Sequence, residues 1–431
     1  MLRDMDRVRK VEILFIVLLG VAFLGYLIAI WCLDIETEVM RDRFWKDVEP
    51  IFHGEVPIIE YPPLSLVFFC IPRIFFSDPF SYNVGYVIMI YAITVAGLVL
   101  VRRTAEELKV NQVWTMTVYS VLIALMLEYV ADRYDIIPAV MTIGAFYLLI
   151  RNRAPASFVL LGLATMTKLY PILLAPFFAT KYLMNRDWKG LSLVVVWFVA
   201  GVAIVAVPAY LLDPGMITGF LGYHSARPLE IDSLAATLIY PLSMLDLTEV
   251  WIQPATAVGS YGSDNLRGPL CDAVAPLLTP IMAVLLVVLA LWFWKLRSGM
   301  ERVDERVFAT SAAIVVALMI FILVGKVLSS QYLIWIIPFL AVALATMQDR
   351  ELKWRVFWTA VIALVITQIN FAYTFGVTGG GESITSLSMI MVLIRNIVLV
   401  AMTVMLIKGI SDVGRDGFPG EDRNSDLDFE F

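Results

Sequence analysis

Trp31–Pro63 reads WCLDIETEVMRDRFWKDVEPIFHGEVPIIEYPP. It follows the first long apolar run, carries Asp34, Glu36, Glu38, Asp42, Asp47, Glu49, Glu55 and Glu60, and closes on the stiff Tyr61-Pro62-Pro63. What comes next decides the fold. Leu64–Phe76 is apolar, but it is short and contains Pro72-Arg73, whereas a helix that crosses about 30 Å of hydrocarbon needs roughly 20 apolar residues. Read as a helix lying in the interface, it turns the acidic stretch into a loop with a platform at one membrane face, held there by aromatics such as Phe68, Phe69, Phe75 and Phe76. Read as a span, it would move every later loop to the other side.

Lysine and arginine choose between these readings, because cytoplasmic ends of spans collect them. With the N-terminus inside and Leu64–Phe76 not crossing, 22 of the 32 Lys and Arg residues fall inside and 9 outside, and Arg395 is left within a span. The opposite choice inverts the count. The N-terminal apolar run, Val11 to Leu33, is too long for a signal-peptide core and lacks a small-residue cleavage site, so it is expected to remain as the first span.

Composition agrees with this class. The chain has 431 residues, of which 60% are hydrophobic and 16% charged, with mean hydropathy +0.83; a soluble core has no use for so much apolar sequence. Apolar runs at Val11–Leu33, Tyr82–Val101, Val113–Val130, Ile136–Ile150, Ser157–Leu169, Ile172–Leu183, Leu191–Leu212, Val274–Trp294, Val307–Gly325, Tyr332–Thr346, Val356–Phe375 and Leu387–Ile407 predict about 12 transmembrane helices. The fold class is therefore an all-α polytopic membrane protein. Residues 1–410 form one integral-membrane domain, with extracytoplasmic loops at 34–81 and 213–273, and 411–431 form a polar cytoplasmic tail.

The net charge of -6 and the absence of a basic cluster exclude a nucleic-acid partner. Cys32, Cys70 and Cys271 show no CxxC spacing, no carboxylate set has a recognisable ligand spacing, and neither a metal nor a cofactor is expected.

Under this topology one face collects the acidic loop, Asp132-Arg133-Tyr134-Asp135, Thr167-Lys168-Leu169-Tyr170-Pro171, the loop holding His224, Arg227, Glu230 and Asp232, and Lys326 before Ser329-Ser330-Gln331-Tyr332. Lys168 stands between two short apolar runs, where an ammonium needs an anionic partner. Each cation alone has an ordinary explanation: snorkelling for Lys168, local pairing with Asp132 or Asp135 for Arg133. Together Arg133, Lys168, Arg227 and Lys326 make a set suited to a phosphate, with His224 as an extra donor. Gln331, Tyr332, Asp135 and Tyr170 are candidates for substrate contact.

EYPPLSL after the acidic loop, DRYDIIPA, GLATMTKLYPILLAP, HSARPLEIDSL and KVLSSQYLIWIIPF occur here in an order that resembles the GT-C membrane glycosyltransferases. The chain is most similar to glycosyltransferase family 87, the polyprenol-phosphate-mannose-dependent alpha-mannosyltransferases, over about Thr37 to Phe339. The resemblance implies a GT-C-type fold and transfer of a hexose, mannose in the family, from a polyprenyl or dolichyl phosphate to a lipid or glycan acceptor at the extracytoplasmic face, with inversion. It also implies an Asp of the first outer loop as base. Asp42, followed by Phe44 and Trp45 and then by Gly54 and Tyr61-Pro62-Pro63, fits that pattern best, with Asp34, Asp47 and Glu38 as rivals. A transporter or flippase of a polyprenyl-phosphate-linked sugar is the alternative, but carriers keep ionisable groups near the midplane. Here Arg395-Asn396 is the main such feature.

Overall fold

The computed structural model describes residues 2–32, 43–372 and 386–418. They fall into two compact units, one ending at His224 and one beginning at Ser225. Among the described residues seven helices are long and apolar enough to cross a membrane, so the protein is a multi-pass, predominantly helical membrane protein. Other expected spans take the form of shorter apolar helices, such as Gln112–Leu125, Ile136–Ile150 and Ala154–Thr165.

In the first unit the helices are α1 (Leu2–Cys32), α2 (Arg43–Phe52), α3 (Leu64–Phe75), α4 (Pro79–Glu107), α5 (Gln112–Leu125), α6 (Leu127–Asp132), α7 (Ile136–Ile150) and α8 (Ala154–Thr165). A 3-10 turn at Tyr170–Leu174 and the short helices α9 (Ala175–Phe178) and α10 (Thr180–Met184) follow, then α11 (Trp188–Leu212) and α12 (Gly215–Ala226). Only 11% of the most apolar windows of α1 and α11 is buried; side chains such as Leu211, 78% exposed, present a face fit for lipid.

α8 and α11 cross without side chains between them. A Cβ at Gly162 would lie 2.4 Å from the Phe198 carbonyl oxygen, and one at Gly201 would lie 2.3 Å from that of Val159. Small residues at such crossings let helix backbones touch where no hydrophobic effect drives association.

The acidic stretch and its platform are two helices packed on each other. In α2, Phe44 and Val48 are buried one turn apart, and Phe44 stacks on Phe69 of α3 with centroids 4.2 Å apart. Arg73 of α3 meets Glu49 at 3.0 Å and lies over the rings of Trp45 and Phe52, 4.5 Å from each centroid. The expected aromatic anchoring splits accordingly: Phe75 is 74% exposed, whereas Phe69 is fully buried against protein.

The second unit holds α13 (Leu234–Met244), α14 (Pro269–Arg297), α15 (Val303–Val324), a 3-10 turn at Ser330–Ile336, α16 (Ile337–Thr346), α17 (Arg350–Ala372) and α18 (Ser386–Asp416). Beyond its charged first turn, Asp304-Glu305-Arg306, α15 is apolar on all sides, and 83% of its most apolar window is buried, as a helix without a polar face should be.

The stretch 213–273, expected as a loop, is largely structured. It contains part of the helical order just given and a two-stranded antiparallel sheet of β1 (Trp251–Gln253) and β2 (Asn265–Arg267). Glu230 bridges to Asn265, and the Leu266 amide donates to the Leu229 carbonyl at 2.9 Å. Leu229, Ala236, Ile239, Leu266, Cys271 and Ala275 bury one another beneath it, which supplies the apolar core that so short a sheet needs.

Candidate functional site

The sequence-predicted residues fall into two groups, each within one unit. In the first unit the amide of Leu64 donates to the Met166 carbonyl at 2.9 Å. This fastens the residue after Tyr61-Pro62-Pro63 to the Thr167-Lys168 segment. Proline at 62 and 63 fixes φ and removes two amide donors, leaving few ways for this connection to bend.

Lys168 donates to Asp135 Oδ1 at 2.6 Å, and the two side chains are only 12% and 1% exposed. Asp135 precedes the first turn of α7, and the Lys168 ammonium also lies 4.7 Å from the Tyr134 ring centroid. Tyr134 is packed edge-on against Tyr61 and Phe69, at 4.8 and 5.3 Å. The anionic partner that Lys168 requires is therefore Asp135. Glu60 and Arg133 are close enough for their charges to act on the same ammonium.

Arg133 pairs with Asp132 at 3.0 Å, the local pairing open from sequence. Tyr170 is buried, 1% exposed, with Thr142 at its hydroxyl and the charge of Asp135 nearby. A cavity of about 430 Å³ in the same unit is lined by Asp47, Ile58, Ile59, Glu60, Gly219 and Tyr223. Asp42 lies outside the described residues, as do Asp34, Glu36, Glu38 and the side chain of His224.

In the second unit two loops are joined by main chain: the Glu230 amide donates to the Lys326 carbonyl at 2.9 Å. Arg227 donates to Ser263 Oγ at 2.9 Å, and its guanidinium is 3.8 Å from Glu230 Oε1. Glu230 is 8% exposed, and its Oε2 is buried without a hydrogen-bond partner among the described residues. Burial pushes its carboxyl up to about 7; Asp232 and Asp264 push the same way, while Arg227 and Arg395 oppose them. Burial also lowers the Lys326 ammonium, and the nearby charge of Arg227 lowers it further.

Arg395 is a residue whose partners the sequence did not reveal. It sits in α18 at 1% exposure and donates to the Asp232 carbonyl at 3.0 Å, to Ser330 Oγ at 2.9 Å and to Asn396 Oδ1 at 3.1 Å. The Asp232 carboxylate is 3.4 Å away. Asn396 in turn donates to the Asp232 carbonyl at 3.1 Å and to Thr237 Oγ1 at 3.2 Å. An arginine within an apolar helix is tolerated only when satisfied in this way. Here it pins the loop of Asp232 and the turn of Ser330 to one helix.

Gln331 accepts from Ser329 Oγ at 2.8 Å, and Tyr332, 8% exposed, stacks on Trp335 at 4.2 Å. Among the described residues no group of three or more His, Cys, Asp or Glu is placed to hold a metal ion.

A cation pair on tied loops and a buried acid–ammonium pair behind a Tyr-Pro-Pro element are features suited to an anionic, hydroxylated substrate. No curated protein matches the chain. The family model of glycosyltransferase family 87 matches residues 59–324, a stretch that includes Tyr61-Pro62-Pro63, Lys168, Arg227 and Glu230. The protein is a membrane glycosyltransferase that belongs to glycosyltransferase family 87.

Proposed function

We propose that the enzyme moves a hexose, mannose by family analogy, from a polyprenyl or dolichyl phosphate to a hydroxyl of a lipid or glycan acceptor. The site faces the extracytoplasmic side, with both termini cytoplasmic, as the distribution of Lys and Arg suggests. The observation that carries the donor class is the Arg227–Lys326 pair. Two cations are held on loops tied by the Glu230–Lys326 main-chain bond, beside a carboxyl whose burial weakens its ionisation at neutral pH. Two cations beside a weakly ionised acid suit a phosphate, and their placement on pinned loops costs little reorganisation when the phosphate arrives.

In the reaction the acceptor hydroxyl oxygen attacks the anomeric carbon from the face opposite the phosphate. The bond from that carbon to the phosphate oxygen breaks, and its electron pair leaves with the polyprenyl phosphate. A carboxylate takes the hydroxyl proton. Asp42 fills that role by the family pattern, and Asp47, one turn or so along α2, is its rival. Arg227 and Lys326 stabilise the charge growing on the leaving phosphate, with His224 as a further donor. Arg133 and Lys168 contribute more weakly, because each already faces a carboxylate of its own unit. Gln331 and Tyr332 border the second group of loops as contacts for the sugar.

Arg395 bears on the flippase alternative. A carrier uses midspan charges as a pathway, whereas this guanidinium is spent on Asp232, Ser330 and Asn396. The test is sugar transfer in proteoliposomes from labelled dolichyl-phosphate-mannose to a membrane lipid extract. Wild type transfers label, and Asp42→Asn loses at least a hundredfold of the rate while keeping its thermal midpoint. If Asp42→Asn keeps the rate and Asp47→Asn loses it, the base is Asp47. Movement of the donor between leaflets without transfer contradicts the proposal.

A further inference from the structure

We propose that the groove between α17 and α18 is a binding site for an anionic phospholipid, which seats its phosphate at the charged end and one acyl chain along the helices. The lipid held there is a partner of the fold, distinct from any lipid-linked sugar donor.

The groove has a volume of about 790 Å³, and its lining changes character along its length. Arg350, Glu351 and Arg355 stand at one end; Trp354, Trp358 and Ile362 follow on α17, with Met405 of α18 on the other side. Arg350, Trp354, Trp358 and Ile362 succeed one another at four-residue spacing, so they share one helix face. From Arg350 to Ile362 the helix rises about 18 Å, and both α17 and α18 are long and apolar enough to cross a membrane. The groove therefore runs from head-group level deep into a hydrocarbon layer of about 30 Å.

Its walls suit a lipid at each level. Trp354 and Trp358 are stacked with centroids 6.5 Å apart, and the buried Phe357 meets them edge-on at 5.7 and 5.3 Å. Indoles held in this way are at home at the membrane interface. Deeper, Ile362 is about half exposed, and the apolar surface continues through Val365 and Ile369 on α17 and through Val404 and Val400 on α18. That surface takes an acyl chain.

The charged end selects the head group. Asp349 accepts from the amides of Glu351 and Leu352 at 2.9 and 3.0 Å, so the start of α17 has its acid and a phosphate must be met by side chains. Glu351 pairs with Arg355, and both are exposed; such pairs are weak, which lets the guanidinium share a second anion. Arg350 supplies the other guanidinium. Gly409 of α18 lies against Leu352, since a Cβ on it would come within 2.8 Å of Leu352 Cδ2; its neighbour Lys408 thus belongs to this same end. Guanidinium groups bind phosphate through paired hydrogen bonds, and basic pockets between membrane helices take anionic head groups. A choline or ethanolamine head group would bring its own cation here, where the carboxylate that lines the groove already faces Arg355.

The place of the groove separates it from the loops described above. Arg395, which holds the Asp232 and Ser330 segments, lies roughly 20 Å of helix away from Lys408 on α18. The groove's charged end is thus at the other end of that helix.

Photoaffinity labelling and native mass spectrometry on the full chain test the binding without turnover. The probe is phosphatidylglycerol with a diazirine in one acyl chain, doped into phosphatidylcholine nanodiscs. Label should concentrate on α17 between Trp354 and Ile362 and on α18 around Met405. Unlabelled phosphatidylglycerol should displace it at least threefold better than phosphatidylcholine. Native spectra should show the same preference, and the thermal midpoint should be higher in discs that contain phosphatidylglycerol.

Arg350→Gln combined with Arg355→Gln should abolish the preference and the midpoint difference. Arg350→Gln alone, which keeps the Glu351–Arg355 pair, should weaken both and serves where the double variant fails to fold. Arg151→Gln combined with Arg153→Gln removes the same charge outside the groove and should leave the preference intact. A merely structural role for Arg350 and Arg355 would lower the midpoint equally in both lipids.

Label spread evenly over the lipid-facing helices means annular lipid only and overturns the proposal, as does equal displacement by the two lipids. Loss of the preference in the Arg151 and Arg153 variant overturns it too, by assigning it to overall charge. A dimer that the groove variants dissociate would put a second copy of the chain in the groove instead.

Discussion

Lys168 in the first unit and Arg227 with Lys326 in the second are cations of similar sequence setting, yet the chain treats them differently. Lys168 meets the Asp135 carboxylate at 2.6 Å, and both side chains are almost wholly buried. Arg227 and Lys326 stand beside Glu230, whose distance from Arg227 is 3.8 Å and whose carboxyl is pushed up to about 7. The first arrangement closes its charge balance within the protein. The second sets its cations beside an acid that burial keeps only partly ionised at neutral pH. A cation near a membrane face is therefore not in itself a phosphate site.

The comparison breaks most visibly at Lys168. Lys168→Met leaves Asp135 buried without its partner and should cost about 3–5 kcal/mol, while Lys168→Met with Asp135→Leu should recover most of that. Thermal midpoints of the single and double variants check this. A Lys168→Met protein of wild-type stability with a raised KM for the lipid donor would place Lys168 with the phosphate ligands instead.

In the second unit Arg227→Gln and Lys326→Gln should each raise the donor KM or lower kcat/KM by roughly ten- to a hundredfold, since hydrogen bonds to charged groups contribute about 1.5–3 kcal/mol. Stability should change little. Steady-state kinetics with the donor varied gives the answer, and a loss confined to the acceptor would contradict the assignment.

Glu230 sharpens the same comparison through pH. Its folded-state value of about 7 lies above an ordinary glutamate near 4.3, so the folded protein binds more protons between these values. Its contribution to stability is complete below about pH 4 and is lost as pH rises through about 7, by at most on the order of 3 kcal/mol. Glu230→Gln, which keeps the shape of the protonated acid, should flatten this part of the pH dependence of the thermal midpoint. An unchanged slope would mean that Glu230 is ionised throughout.

The smallest effect is expected at Arg73, which holds α2 on α3 through Glu49, Trp45 and Phe52. The guanidinium keeps the Glu49 carboxyl below its ordinary value. Arg73→Ala should cost about 1–2 kcal/mol, mostly lost ring contact, and a thermal midpoint within error of wild type would show that the platform stands without it.

Local features of the fold were legible where a residue's surroundings lie close in sequence. The apolar run after Tyr61-Pro62-Pro63 became the helix Leu64–Phe75, because length and a late proline govern it locally. The Asp132–Arg133 pair was also within reach, being adjacent. The partner of Lys168 lies 33 residues away and that of Arg395 lies 163 away; charge type alone could say that each needed an acid or a carbonyl, not which one. The β1–β2 hairpin escaped because its strands are three residues each and owe their stability to the Leu229–Leu266 core rather than to any alternation of their own.

The most direct measurement is the initial rate of sugar transfer by purified wild-type protein in proteoliposomes, with a polyprenyl-phosphate hexose and a nucleotide hexose offered as separate donors. The expected result is transfer from the lipid phosphate and none from the nucleotide sugar. Transfer from the nucleotide sugar alone, or passage of the lipid donor between leaflets with no product formed, would contradict it.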